Sequence, residues 1–198
     1  MSDLAIAPGG NNVAWTLPSR GMVGILCLII AEASIFIIFV VAYIFYIGKS
    51  LTGPYPKDVL SLPIFTSLCL FSSSYTVHAA VAALRRGQQR LCSLWLAATV
   101  LLGGIFLGGT AHEWYDLIYN HGLTIQTNLF GTTFYSLVGL HASHVVVGLI
   151  MLSLALWFSL SGKMQQHHSE KLDVLSIYWH FVDAVWVIVF LVVYVLGR

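Results

Sequence analysis

Five stretches of mostly apolar residues, near 22–47, 60–84, 91–115, 129–160 and 174–197, constrain this chain more than any other feature of it. A helix rises 1.5 Å per residue, so about 20 such residues cross a hydrocarbon core roughly 30 Å thick. Each of the five runs is that long. In lipid every backbone N–H and C=O must find its partner within the protein, which leaves helices and closed barrels as the only spanning structures, and runs of this length select helices. Composition agrees. Of 198 residues 58% are hydrophobic and 9% charged, whereas a soluble domain carries about 25% charged residues. The polar surface needed to cover a water-soluble fold is missing. The expected fold is all-α, a polytopic membrane protein of five transmembrane helices.

The fourth run exceeds what a span requires, so it should tilt or project from the bilayer. The loops carry ordinary punctuation, with Gly53, Pro54 and Pro56 in the first and Arg85 to Arg90 in the second. None is long enough for a separate domain, and no internal repeat is visible. Two parts result: residues 1–20, a polar, Gly/Pro-rich N-terminal segment, and residues 21–198, the membrane domain. The N-terminal segment lacks a basic stretch followed by an apolar one and does not read as a cleavable signal peptide. Placing the N-terminus in the cytoplasm puts Arg20, Arg85, Arg86, Arg90, Lys163 and Lys171 inside against Lys49, Lys57 and Arg198 outside. The positive-inside rule then favours a cytoplasmic N-terminus and a periplasmic C-terminus. Cys27, Cys69 and Cys92 are odd in number and far apart, so neither structural disulfides nor a thiolate metal site is expected. A net charge of +1 gives no reason to expect nucleic acid as a partner.

Function must then be sought in the ionisable residues inside the spans, because a charge in hydrocarbon is costly and normally faces protein or a cavity. Glu32 sits ten residues into the first run, roughly 15 Å deep. A carboxyl there should be protonated, paired, or in contact with water or a lipid head group. The fourth run carries His141 and His144 in GLHASHVVVG, three residues apart and so on one face, with Gly148 a turn further inviting close helix contact. The fifth carries Trp179, His180, Asp183 and Trp186 in YWHFVDAVW, where His180 and Asp183 share that spacing and can pair. Counted in depth, Glu32, His141, His144, His180 and Asp183 are candidates for one polar layer in the cytoplasmic half, joining helices one, four and five. The competing reading is that such groups only hold helices together, at about 0.6–2 kcal/mol per bond. For Glu32 function is favoured, since a Ser or Asn would bind helices as well at lower cost. Glu113 and Asp116, in HEWYD at the outer end of helix three, read as interfacial, with Trp114 and Tyr115 as belt anchors.

Other chemistries fit less well. A haem held by two histidines could use His144 with His180 or His78, but a second pair near the outer face would have only the interfacial His112 and His121. A diiron desaturase needs histidine clusters at cytoplasmic helix ends, where only His167 and His168 stand. A transporter should show repeat symmetry and helices broken at the midplane, and here Pro63 lies near an end. No GxSxG, HExxH, P-loop or GxGxxG is present.

FGTTFYSLVGLHASHVVVGLIML resembles the penultimate helix of subunit III of haem-copper respiratory oxidases, the cytochrome c oxidase subunit III family, and YWHFVDAVWVIVFLVVYVLG resembles its last helix. IIAEASIFIIF, SLCLFSSSYTVHAA and FLGGTAHEWYDL resemble the three helices before these, in order. The likeness covers nearly the whole chain from residue 20. Counterparts of the first two helices of the seven-helix mitochondrial form are missing, as in the short forms of bacterial cytochrome c oxidases and ubiquinol oxidases. The resemblance therefore implies a bacterial inner (cell) membrane. It implies a core subunit of a proton-pumping terminal oxidase without a cofactor of its own, haem and copper being held by partner subunits. It implies direct packing on oxidase subunit I, with subunit II and small subunits as further partners, bound phospholipid in a cleft, membership of a respiratory supercomplex as an option, and support for proton uptake and for durability in turnover. Glu32 matches the family's buried, carbodiimide-reactive carboxyl near the lipid cleft. His180 and Asp183 match its WHFVD positions, and His141 and His144 its GxHxxHV positions. A ubiquinol oxidase is the near alternative, because nothing in the chain touches the electron donor.

Overall fold

A computed structural model describes residues 19–50, 53–60 and 62–197. Residues 1–18 lie outside it, and with them nearly all of the proposed cytoplasmic segment and the signal-peptide question. Among the described residues the chain is helical, with no strand. Its five long helices are α1 (Arg20–Tyr46), α2 (Ile64–Arg85), α3 (Gln89–Tyr119), α4 (Leu129–Leu160) and α5 (Ser169–Phe190). A 3-10 turn, Gln166–His168, leads into α5, and a π-helical turn, Leu191–Leu196, continues it. All five are long and apolar enough to cross a membrane, as the five runs predict.

The ends follow local chemistry. Ser19 caps α1 by accepting from the Met22 N–H at 3.3 Å, and Asn128 caps α4 by accepting from the Gly131 N–H at 2.8 Å. Gly87 closes α2 with φ +73°. Its N–H bonds the Leu84 carbonyl (2.9 Å) and the Gln88 N–H bonds the Ala83 carbonyl (3.0 Å), so α3 starts at once and antiparallel. The last helix begins earlier than its apolar run: Ser169, Glu170, Lys171 and Asp173 are polar, and Leu172 among them is buried.

Helices α2, α3, α4 and α5 form a closed ring in that order, and α1 lies outside it in the groove between α4 and α5. The ring is drawn tight around Trp179 of α5, which is fully buried. A Cβ added to Gly148 of α4 would stand 2.8 Å from the indole, and one added to Gly103 of α3 would stand 3.0 Å from it. These two glycines are the notches that admit the ring, and Gly148 makes the close contact expected of it. Phe36 and Tyr43 are the buried residues of α1, and the rest of that helix turns mostly outward.

Candidate functional site

Glu32 and Phe36, one turn apart on α1, face the bundle. Glu32 Oε2 lies 3.1 Å from His144 Nε2 on α4, and His144 Nδ1 lies 2.8 Å from the Leu140 carbonyl oxygen. A carbonyl can only accept, so Nδ1 carries a hydrogen. The contact with Glu32 then holds a single proton, either on an imidazolium facing a carboxylate or on a carboxylic acid facing a neutral ring. The side chains are 25% (Glu32) and 13% (His144) exposed, which puts the pair at the edge of the bundle with the carboxyl opening outward. Tyr178 of α5 donates to the His144 carbonyl at 3.3 Å, and the Phe36 ring covers the imidazole at 4.9 Å.

His141 behaves differently, although it is one turn away. It is 1% exposed, and neither ring nitrogen has a hydrogen-bond partner among the described residues. Its ring stacks on Trp186 at 5.0 Å and meets the rings of Phe106 (5.9 Å) and Phe36 (6.5 Å) edge-on. Its contacts are aromatic packing.

His180 and Asp183 look towards α2. Ser74 Oγ is 2.9 Å from His180 Nδ1 and donates to Asp183 Oδ2, while Ser176 Oγ lies 3.2 Å from His180 Nε2. The two α5 residues are therefore joined through a serine of another helix rather than to each other. Along the same seam, Trp179 Nε1 donates to Ser73 Oγ (2.8 Å) and Trp186 Nε1 to Ser67 Oγ (3.0 Å). The expected single layer across helices one, four and five is thus divided into a Glu32–His144 link between α1 and α4, an α2–α5 seam containing His180 and Asp183, and an unbonded His141. The reason lies in α2, whose serines supply partners that a search for charges passes over.

Two further readings change at the C-terminal end of α3. Glu113 is not simply interfacial: Tyr194, on the π-helical turn, donates to its two carboxyl oxygens at 2.9 and 3.1 Å. The only signal in sequence was that Tyr194 is the one hydroxyl-bearing residue in VIVFLVVYVLG. Trp114 turns inward, its indole nitrogen buried and its ring 5.3 Å from that of Tyr135, whereas Tyr115 stays exposed and Asp116 is half-buried.

Both ring nitrogens of His144 and of His180 are taken up by protein atoms, so neither imidazole is poised as an axial haem ligand. Among the described residues no three or more His, Cys, Asp or Glu side chains gather as a metal site.

Comparison with known proteins agrees with the geometry. The family model for cytochrome c oxidase subunit III matches residues 16–198. The chain is similar to cytochrome c oxidase subunit 3 of Synechocystis sp., 35% identical over 188 residues, covering 90% of this chain and 77% of that one. It is similar to the Thermostichus vulcanus protein of the same name, 31% identical over 185 residues, covering 91% and 90%. A probable quinol oxidase subunit 3 of Staphylococcus saprophyticus is 29% identical over 153 residues, covering 76% and 75%. A family match over nearly the whole chain, on a five-span helical bundle, establishes that this chain belongs to the cytochrome c oxidase subunit III family.

Proposed function

We propose that this chain is the cofactor-free core subunit III of a proton-pumping haem-copper terminal oxidase in a bacterial inner membrane, with its N-terminus in the cytoplasm. Haem and copper reside in partner subunits, and this subunit has no active site of its own. It packs on subunit I, retains phospholipid, and supports proton uptake and durability during turnover. The observation that carries this reading is the Glu32–His144 pair on a helix that is mostly turned outward. A half-open carboxyl deep in a span is costly against lipid tails alone. A cleft shared with a lipid head group or a neighbouring subunit provides the polar surroundings it needs.

The test is to purify the complex through a tag on this chain. The haem- and copper-bearing subunits are expected to accompany it, with a Soret band in the complex. A Soret band in the isolated chain would overturn the proposal. Removing the chain should leave initial oxygen reduction intact while shortening the working life of the enzyme. Because one relative is named a quinol oxidase subunit, donor assays with reduced cytochrome c and with quinol distinguish the two parent complexes.

A further inference from the structure

The serines of α2 hold α5 in two chemically different ways. Ser67 and Ser73 donate their hydroxyl hydrogens to carbonyls of their own helix, Pro63 at 2.7 Å and Leu70 at 2.5 Å, and accept the indole N–H groups of Trp186 and Trp179. An indole only donates and a carbonyl only accepts, so the sense of each of these chains is fixed and no proton can move along it. Ser74 has side chains as its two partners, His180 and Asp183, and His180 is bonded in turn to Ser176. Each of these four groups can give and take a hydrogen.

We propose that Ser176, His180, Ser74 and Asp183 form a proton relay that loads the buried Asp183 carboxylate from the Arg85–Asp173 end of the α2–α5 seam. With Asp183 ionised, Ser176 donates to Nε2, Nδ1–H donates to Ser74, and Ser74 donates to Oδ2. Ser176 passes its hydroxyl hydrogen to Nε2 as its Oγ takes one from water, which makes His180 an imidazolium and leaves Ser176 a hydroxyl. Nδ1 then releases its hydrogen to Ser74 Oγ as the Ser74 hydroxyl hydrogen passes to Asp183 Oδ2. The imidazole is left neutral with its hydrogen on Nε2, Ser74 is again a hydroxyl, and the carboxyl is protonated. One proton enters, one carboxylate is neutralised, and nothing is oxidised or reduced.

The spacing gives the relay its direction. Asp173, Ser176, His180 and Asp183 follow one another at intervals of three, four and three residues, a single stripe along α5. Ser74, the exposed His78 and Arg85 lie at intervals of four and seven along α2. Arg85 binds Asp173 at 2.9 Å where the two stripes end. At the other end Asp183 Oδ1 is buried without a partner among the described residues, so the carboxyl has Ser74 as its link and the path stops there. The other titratable groups facing the relay are His78, Arg85 and Asp173. Glu32 and His144 reach α5 through Tyr178, two residues and about half a turn away from His180. The relay rests on the geometry of this chain; the orientation proposed above would put its Arg85–Asp173 entry at the cytoplasmic face.

Infrared difference spectroscopy on the lipid-reconstituted complex tests it. A pH-dependent carboxylic C=O band is expected, lost in Asp183→Asn, and its hydrogen-to-deuterium exchange should slow by about a hundredfold in Ser74→Ala, the scale of a positioned proton-transfer group. Ser74→Thr should restore the rate, and Ser73→Ala should leave it unchanged. Absence of the band, its persistence in Asp183→Asn, or unaltered exchange in Ser74→Ala overturns the relay. Should Asp183→Asn fail to assemble, the Ser74→Ala and Ser74→Thr pair decides alone. A Soret band in the isolated chain would overturn the function proposed above and leave the relay standing.

Discussion

Helices α1 and α2 are both single apolar spans, yet they are held in opposite ways. α1 is the most apolar of the five and the least buried, while α2 is the least apolar and the most buried. In water the reverse would be expected. Here lipid is the solvent, and an outward-facing isoleucine loses nothing by staying in it. What draws a helix into the bundle is its polar stripe and its small residues. α2 presents Ser67, Ser73, Ser74 and Thr76 to its neighbours, and Thr76 reaches Thr99 of α3 at 2.8 Å. Among the described residues the one side-chain polar link from α1 to the rest is Glu32 with His144. Between these two helices apolarity marks the rim and polarity the interior, whereas α5 is both apolar and deeply buried.

That contrast can be broken by experiment. Trp179→Ala removes the largest shared anchor, a buried ring that also bonds Ser73, and should destabilise the solubilised chain by about 3–5 kcal/mol in a denaturation midpoint. Gly148→Leu drives a side chain into the same indole and should cost about 1–3 kcal/mol by overpacking, read as lost yield of assembled complex. Ser73→Ala strips the indole N–H of its acceptor and should cost about 0.6–2 kcal/mol. Glu32→Gln should shift the midpoint by about 0.6 kcal/mol or less, leave initial oxygen reduction and assembly intact, and abolish carbodiimide labelling while reducing retained phospholipid. Loss of haem or copper from that variant would contradict the role given to Glu32. Ile37→Ala, on the outward face of α1, should leave the midpoint of the chain unchanged and loosen only its hold on the complex, seen as earlier release in rising detergent. If Ile37→Ala unfolds the chain as readily as Ser73→Ala, the distinction between rim and interior fails.

The spans were legible because run length alone decides them, and the errors fall where polarity and helix overlap. By composition the second run begins near residue 60, but Pro63 sets the start of the helix at Ile64. The last helix begins at Ser169 because Leu172 gives a polar turn an inner face. Of the site, every ionisable member was visible as an anomaly in an apolar run. Their partners were not. Spacing within a helix places His180 beside Asp183, but it carries no information on which other helix comes between them. Ser74 is uncharged and ordinary in sequence, and it becomes the junction only when α2 meets α5. Tyr194 reaches Glu113 from a π-helical turn that no apolar pattern announces.

The separation of Ser74 from His180 by 106 residues also bears on how the protein is made. Synthesis runs from the N-terminus, so α2 enters the membrane well before α5 exists. Ser67 and Ser73 already hand their hydroxyl hydrogens to their own helix, so most of the future docking stripe can wait in the bilayer with its donors satisfied. The tryptophans arrive later and need only a vacant lone pair. Ser74 instead bonds His180 and Asp183 in the finished fold, and that meeting is the contact by which a nascent chain would register that its final segment has come home.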